Sequence, residues 1–167
     1  MLLVRHILAI ALLPAMVAGL IPVWIARRNG IALSLGRTLI AGLAQGLGVV
    51  LLGVGLLLFL SSLRRFSNDG EGTLAPWDPP RKLVVSGPYR YVRNPMISGV
   101  VFVLFGEACV LLSPPHFVWA LTFVAINLVY IPLLEEPQLI ARFGDVYAVY
   151  RKHVPRLLPR SRPWDGA

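Results

Sequence analysis

Two short stretches hold most of the polar chemistry of an otherwise apolar chain. The first, GPYRYVRNPMI over residues 87–97, sets Tyr89, Arg90, Tyr91 and Arg93 directly ahead of Asn94 and Pro95. Pro95 suits the first turn of a helix, where its missing N–H costs nothing. The free N–H groups of such a turn, beside Arg93 and Asn94, suit an anion such as a carboxylate. The second stretch, over residues 135–160, opens on Glu135 and Glu136. Adjacent carboxylates near hydrocarbon repel unless a cation lies beside them. An anion cradle, a carboxylate pair and the aromatic faces of Tyr89 and Tyr147 together match a ligand that carries a carboxylate, an ammonium and a sulfonium or delocalised cation.

Composition dictates what must position these groups. Of 167 residues, 56% are hydrophobic and 14% charged, which reads as an all-α integral membrane protein. A spanning helix needs about 20 mostly apolar residues, and four segments qualify: about 7–26, 38–60, 96–112 and 117–134. Arg5 ahead of the first resembles a signal-peptide start, but the run is long and has no clear cleavage site, so a retained span is expected. A fifth helix is expected over 137–152, with Leu139, Phe143, Val146, Tyr147 and Tyr150 on one face, lying along the bilayer surface. The whole chain, 1–167, reads as one helical bundle of about four spans plus this interfacial helix. Residues 70–80, GEGTLAPWDPP, are too rich in Gly and Pro for a helix and predict a surface loop. Gly42, Gly46, Gly48, Gly53 and Gly55 in the second span predict close helix packing.

Orientation follows from the basic residues. Six Lys or Arg fall between the second and third spans and six more after the fourth, against three between the first two. Both termini and both motifs are therefore expected on the cytoplasmic side. The net charge of +8 reads as membrane anchoring against anionic headgroups, with no nucleic-acid partner. A lone Cys109 excludes a disulfide framework, and His6, His116 and His153 are too scattered for a shared metal site. Glu107, ionisable within a span, is a functional candidate by type, yet it lies toward the outer half of the third span.

GPYRYVRNPMISG, followed by EEPQLIARFGDVYAVYRKHVPRLLPR, resembles the membrane-integral methyltransferases that include isoprenylcysteine carboxyl methyltransferase and the phospholipid N-methyltransferases. The resemblance covers mainly residues 81–160. It implies a helical membrane enzyme that binds S-adenosylmethionine in a cytoplasmic pocket roofed by the C-terminal segment, with a lipidic or amphipathic substrate arriving from the bilayer. Carried over by position, the implied cofactor contacts are Lys82, Leu83, Val84, Tyr89, Arg93, Asn94, Pro95, Met96, Ile97, Glu135 and Glu136. Tyr147 is expected to pack near the adenine or sulfonium, and Glu136 to act catalytically by orienting the acceptor or taking its proton. Many relatives have His-Pro and a tyrosine where Asn94-Pro95 and Ile97 stand. Ile131 replaces an arginine of the prenylcysteine enzymes, which argues against a prenylcysteine acceptor. The alternatives are a nicotinamide-dependent membrane reductase, since some sterol reductases share a similar C-terminal region, and a non-enzymatic membrane scaffold.

Overall fold

The computed structural model describes residues 14–70 and 81–166, and every regular element in that range is helical. A π-turn (Met16–Leu20) leads into α1 (Ile21–Arg28), followed by α2 (Leu39–Asp69). A short 3-10 turn (Gly87–Arg90) precedes α3 (Pro95–Val110). α4 (Pro114–Tyr130) then passes through a second π-turn (Ile131–Glu135) into α5 (Glu136–His153). Residues 7–13 of the expected first span and all but Gly70 of the expected 70–80 loop lie outside the described residues. Gly70 nonetheless accepts backbone hydrogen bonds from Arg81 and Lys82 at 2.8 and 3.2 Å, so the ends of that segment meet.

The centre of the fold is the antiparallel contact of α2 with α3. A Cβ on Gly48 would stand 2.8 Å from the carbonyl oxygen of Gly106, and one on Gly55 2.7 Å from that of Gly99. Backbone meets backbone at both points, which only residues without side chains permit. The expectation of glycine-mediated packing holds for Gly48 and Gly55. It fails for Gly42, Gly46 and Gly53, where an added Cβ would meet nothing within 4 Å.

The first helical stretch is tied on by polar contacts. Within the Met16–Leu20 π-turn, Ile21 N–H bonds the carbonyl of Met16; the next bond in that pattern would need an N–H from Pro22, which has none. The orphaned Val17 carbonyl accepts instead from the indole Nε1–H of Trp119 on α4, at 3.0 Å. Buried His116 sets Nε2 3.1 Å from the Pro22 carbonyl and Nδ1 2.7 Å from Ser113 Oγ. A carbonyl only accepts, so Nε2 carries the proton. His116 therefore serves as a structural bridge.

Two of the helices are long and apolar enough to cross a membrane: α2, and the continuous run from Pro114 to His153. α3 is apolar but shorter. Leu43, Leu47, Val50 and Leu57 on α2, and Leu121, Ile126 and Leu128 on α4, are all exposed, an apolar surface suited to hydrocarbon.

The expected break before a separate surface helix is displaced. The backbone stays helical through Ile131, Glu135, Glu136 and Pro137, and turns only at Gly144 (φ 54°, ψ −133°). Pro137 occupies the first turn of α5, where a missing N–H is tolerated. The corner needs a conformation open mainly to glycine. Its consequence is that Val146 points outward while Tyr147 and Tyr150 are buried. The expected face thus holds for Leu139, Phe143, Tyr147 and Tyr150, which pack together, and fails for Val146.

Candidate functional site

Glu136 sits at the junction of the second π-turn and α5 with its carboxylate almost sealed. Its Oε1 lies 3.0 Å from Arg93 Nη1 and 2.9 Å from Arg156 Nε, and its Oε2 lies 3.2 Å from Arg151 Nη1. Arg93 comes from the approach to α3, Arg151 from the end of α5 and Arg156 from the tail beyond it. The approach to α3, the end of α5 and the tail just beyond it converge on one carboxylate. Arg93 Nη1 also donates to Tyr147 Oη at 3.2 Å, and its Nε is buried with no partner among the described residues. A guanidinium with one unused buried donor is set up to receive an acceptor atom from a ligand.

The tail runs beside the start of α3 and is pinned to it repeatedly. Arg93 N–H donates to the Pro155 carbonyl at 2.8 Å and Asn94 N–H to that of Arg156 at 3.2 Å. Ser98 Oγ donates to the Leu157 carbonyl at 2.9 Å, and Arg160 N–H to that of Tyr91 at 3.0 Å. At the far end Trp164 N–H bonds the Arg90 carbonyl at 2.9 Å, Arg90 Nε bonds the Trp164 carbonyl, and Arg90 pairs with Asp165. The N–H groups of Arg93 and Asn94 are therefore already committed to the tail, which narrows the expected cradle to the Arg93 side chain and the turn that follows Pro95.

An aromatic wall closes one side. Tyr147, Tyr150 and Val154 form a buried cluster with Leu83, Val85, Leu139, Phe143 and Trp164 against it. Tyr150 Oη donates to the Tyr89 carbonyl at 2.6 Å, and Trp164 stacks on His153. Burial pushes the hydroxyls of Tyr89 and Tyr150 well above the usual phenol range. Both stay neutral and act as apolar surface with a hydrogen-bonding tip.

Glu135 differs from its neighbour. Burial raises its carboxyl above the ordinary carboxylate range, the charge of Glu136 adds to that, and Arg93 partly offsets it. It is half-buried and within electrostatic reach of Arg93, Tyr89 and Tyr147. A carboxyl shifted in this way beside a cation has the makings of a general base.

The residues singled out from sequence sort as follows. Arg93, Glu135, Glu136 and Tyr147 come together, with Tyr89 and Leu83 on the adjoining wall. Val84 is buried, Lys82 is exposed, Pro95 is buried in the first turn of α3, and Asn94, Met96 and Ile97 are half-buried around it. Glu107 lies toward the opposite end of α3 and does not join them, although its Oε2 is buried without a partner among the described residues. Sequence reading missed Arg156 and gave Arg151 no site role. The available signal was Val154-Pro155: a residue before proline is pushed out of helical geometry, and Val154 is indeed extended (φ −113°, ψ 124°).

Residues 43–146 match the model of the phospholipid methyltransferase family. The chain belongs to that family. Among curated relatives, methanethiol S-methyltransferase 2 of Bradyrhizobium diazoefficiens is 40% identical over 72 residues, 43% of this chain and 27% of the relative. Methanethiol S-methyltransferase of Crocosphaera subtropica is 34% identical over 83 residues, 48% of this chain and 30% of the relative. This member of the phospholipid methyltransferase family thus spans less than a third of the length of either relative. No solved structure matches it significantly. The family match starts within α2, earlier than the motifs, and ends at Val146, short of Arg151 and Arg156.

Proposed function

We propose that the chain is an S-adenosylmethionine-dependent methyltransferase acting on a lipidic or amphipathic acceptor at the cytoplasmic membrane face. The observation that carries this reading is the ion pair of Arg93 with Glu136, which brings the two motifs to one place. The cofactor suits the residues present. Three arginines surround one fully engaged carboxylate, an excess of positive charge that favours a ligand carboxylate, and Arg93 Nε is a buried donor with no partner among the described residues.

When bound, S-adenosylmethionine supplies an electrophilic methyl group on a sulfonium. The protein's own contribution is orientation and exclusion of water, which can lower a barrier by several kcal/mol. Arg93 holds the ligand carboxylate. Tyr89, Tyr147, Leu83 and Val84 line the apolar side, and Lys82, Asn94, Pro95, Met96 and Ile97 frame the remainder. Glu136, expected as the catalytic group, has both oxygens engaged by arginines, which leaves neither turned to an acceptor. The proton-accepting role passes to Glu135, whose raised proton affinity suits it to orient an acceptor thiol, amine or hydroxyl and take its proton. Glu136 acts through Arg93.

A second reading of the acceptor is a small thiol, favoured by the names of the two curated relatives. One experiment addresses both. Membranes containing the chain are given methyl-labelled S-adenosylmethionine, with and without added methanethiol, and label is sought in the lipid extract and in the volatile fraction. Label in either supports methyl transfer and identifies the acceptor class. Label in neither, together with no thermal shift by S-adenosylhomocysteine, overturns the proposal; a shift by NADPH instead points to a reductase.

A further inference from the structure

The site's ion cluster is completed by two residues beyond the family match, Arg151 and Arg156. We propose that these are positioning residues: Arg156 locks the tail over residues 154–165 across the start of α3 by gripping Glu136 Oε1, Arg151 at the end of α5 occupies Oε2, and together they hold Arg93 ready for an anionic group of the cofactor. The proposal rests on the cofactor reading above and adds to it a device for setting affinity.

Arg156 acts from both ends of its own residue. Its backbone carbonyl accepts from the N–H of Asn94 at 3.2 Å, while its side-chain Nε donates to Glu136 Oε1 at 2.9 Å. The start of α3 and the start of α5 are thereby bound to one tail residue. Pro155, next to it, accepts from the N–H of Arg93 at 2.8 Å. Arg93 is thus held through its backbone by the tail and through its side chain by the carboxylate that the tail also grips.

Charge gives the second argument. With Arg93 alone beside it, Glu136 is free to engage that guanidinium through both oxygens and draw it away from a ligand. Arg151 on Oε2 and Arg156 on Oε1 prevent this, and Arg93 keeps Nε uncommitted. Both outer arginines are partly solvated, with side chains 46% and 32% exposed, whereas Arg93 is 8% exposed. Opening the tail therefore parts Arg156, already partly in water, from Glu136 Oε1, and leaves Arg93 to rearrange on that oxygen while Arg151 stays on Oε2.

The test uses the full chain in lipid nanodiscs. Hydrogen–deuterium exchange is followed over residues 154–165, where Arg160 and Trp164 donate amide hydrogen bonds to Tyr91 and Arg90, and steady-state kinetics are followed with S-adenosylmethionine. For R156A, and more so for R151A with R156A, exchange over the tail accelerates. The KM for S-adenosylmethionine rises about tenfold because the binding-competent fraction falls, with kcat within about twofold. R156K recovers part of both effects, since it restores charge but not the Nε geometry. If exchange and KM are unchanged in the double variant, or if kcat collapses while KM holds, the positioning role is overturned. Should R156A fail to fold, R156M, which keeps the side-chain stem packed while removing the ion pair, reads the same lock through tail exchange. Wild-type binding of S-adenosylhomocysteine tests the underlying cofactor reading by itself, and tail exchange without ligand supports or overturns the lock whichever way that binding falls.

Discussion

Arg93 Nη1 stands 3.0 Å from Glu136 Oε1, with both side chains nearly closed to solvent, and the two partners are not equivalent. Glu136 has two further arginines, whereas Arg93 has Glu136 as its ion-pair partner among the described residues. Removing the carboxylate strands a buried cation, which typically costs about 3–5 kcal/mol. Removing Arg93 leaves Glu136 still paired. E136A is therefore expected to lower the unfolding temperature in detergent clearly more than R93A, while R93A is expected to abolish S-adenosylhomocysteine binding. Wild-type affinity in R93A would count against the assignment of Arg93.

Glu135 provides a pH signature. Its raised proton affinity means that the folded chain keeps a proton there to higher pH than the unfolded chain does. The corresponding stability is fully present at low pH and is lost as pH rises through the raised value. Activity runs the other way, because only the ionised form accepts a proton. The kcat/KM profile is expected to climb through a limb above the ordinary carboxylate range, and E135Q to lack that limb along with most of the rate.

Helix packing separates two kinds of glycine within one fold. In G99A the new Cβ would lie 2.8 Å from the Gly55 carbonyl oxygen, so α2 and α3 must part. G53A meets nothing within 4 Å and gains the helix preference of alanine, about 0.5–1 kcal/mol. Unfolding of the two variants in detergent is expected to shift in opposite directions. Equal shifts would contradict the packing described.

At Gly144 the limit is set by backbone geometry. No neighbour crowds the position, but φ 54° with ψ −133° strains any side chain. G144A is expected to cost about 1–3 kcal/mol. It should also shift Tyr147 relative to Arg93, so that KM for the cofactor rises even at temperatures where the fold holds. A KM equal to wild type would show that the corner does not position Tyr147.

Much of this was legible along the chain. Apolar runs located α3 and α4 to within a few residues and the start of α2, whose end at Asp69 lies well beyond the apolar run, and the Arg93 and Glu135–Glu136 motifs foretold their own meeting because unpaired charges near hydrocarbon need partners. What escaped were features decided by non-local closure. Gly144 lay unremarked inside the helix expected over 137–152, whereas Pro137 looked like the natural break, since nothing local reveals that a π-turn already accommodates it. Gly42 and Gly48 are alike until α3 chooses its side. Arg156 was one of the basic residues counted for orientation, because it reaches Glu136 only when the tail turns back after Val154, and a return of that kind leaves no periodicity to read.

The π-turn over Ile131–Glu135 lets each hydrogen bond span one residue more than in an α-helix. One surplus residue amounts to about 100° of rotation about the axis. The turn thus works as a phase adjuster, setting the azimuth at which Glu136 leaves the helix. Excising a single residue there would preserve the hydrophobic length and every motif, yet swing the carboxylate round the barrel of the helix and leave the arginines facing the wrong flank. In this protein angular register, more than composition, decides whether the two motifs meet.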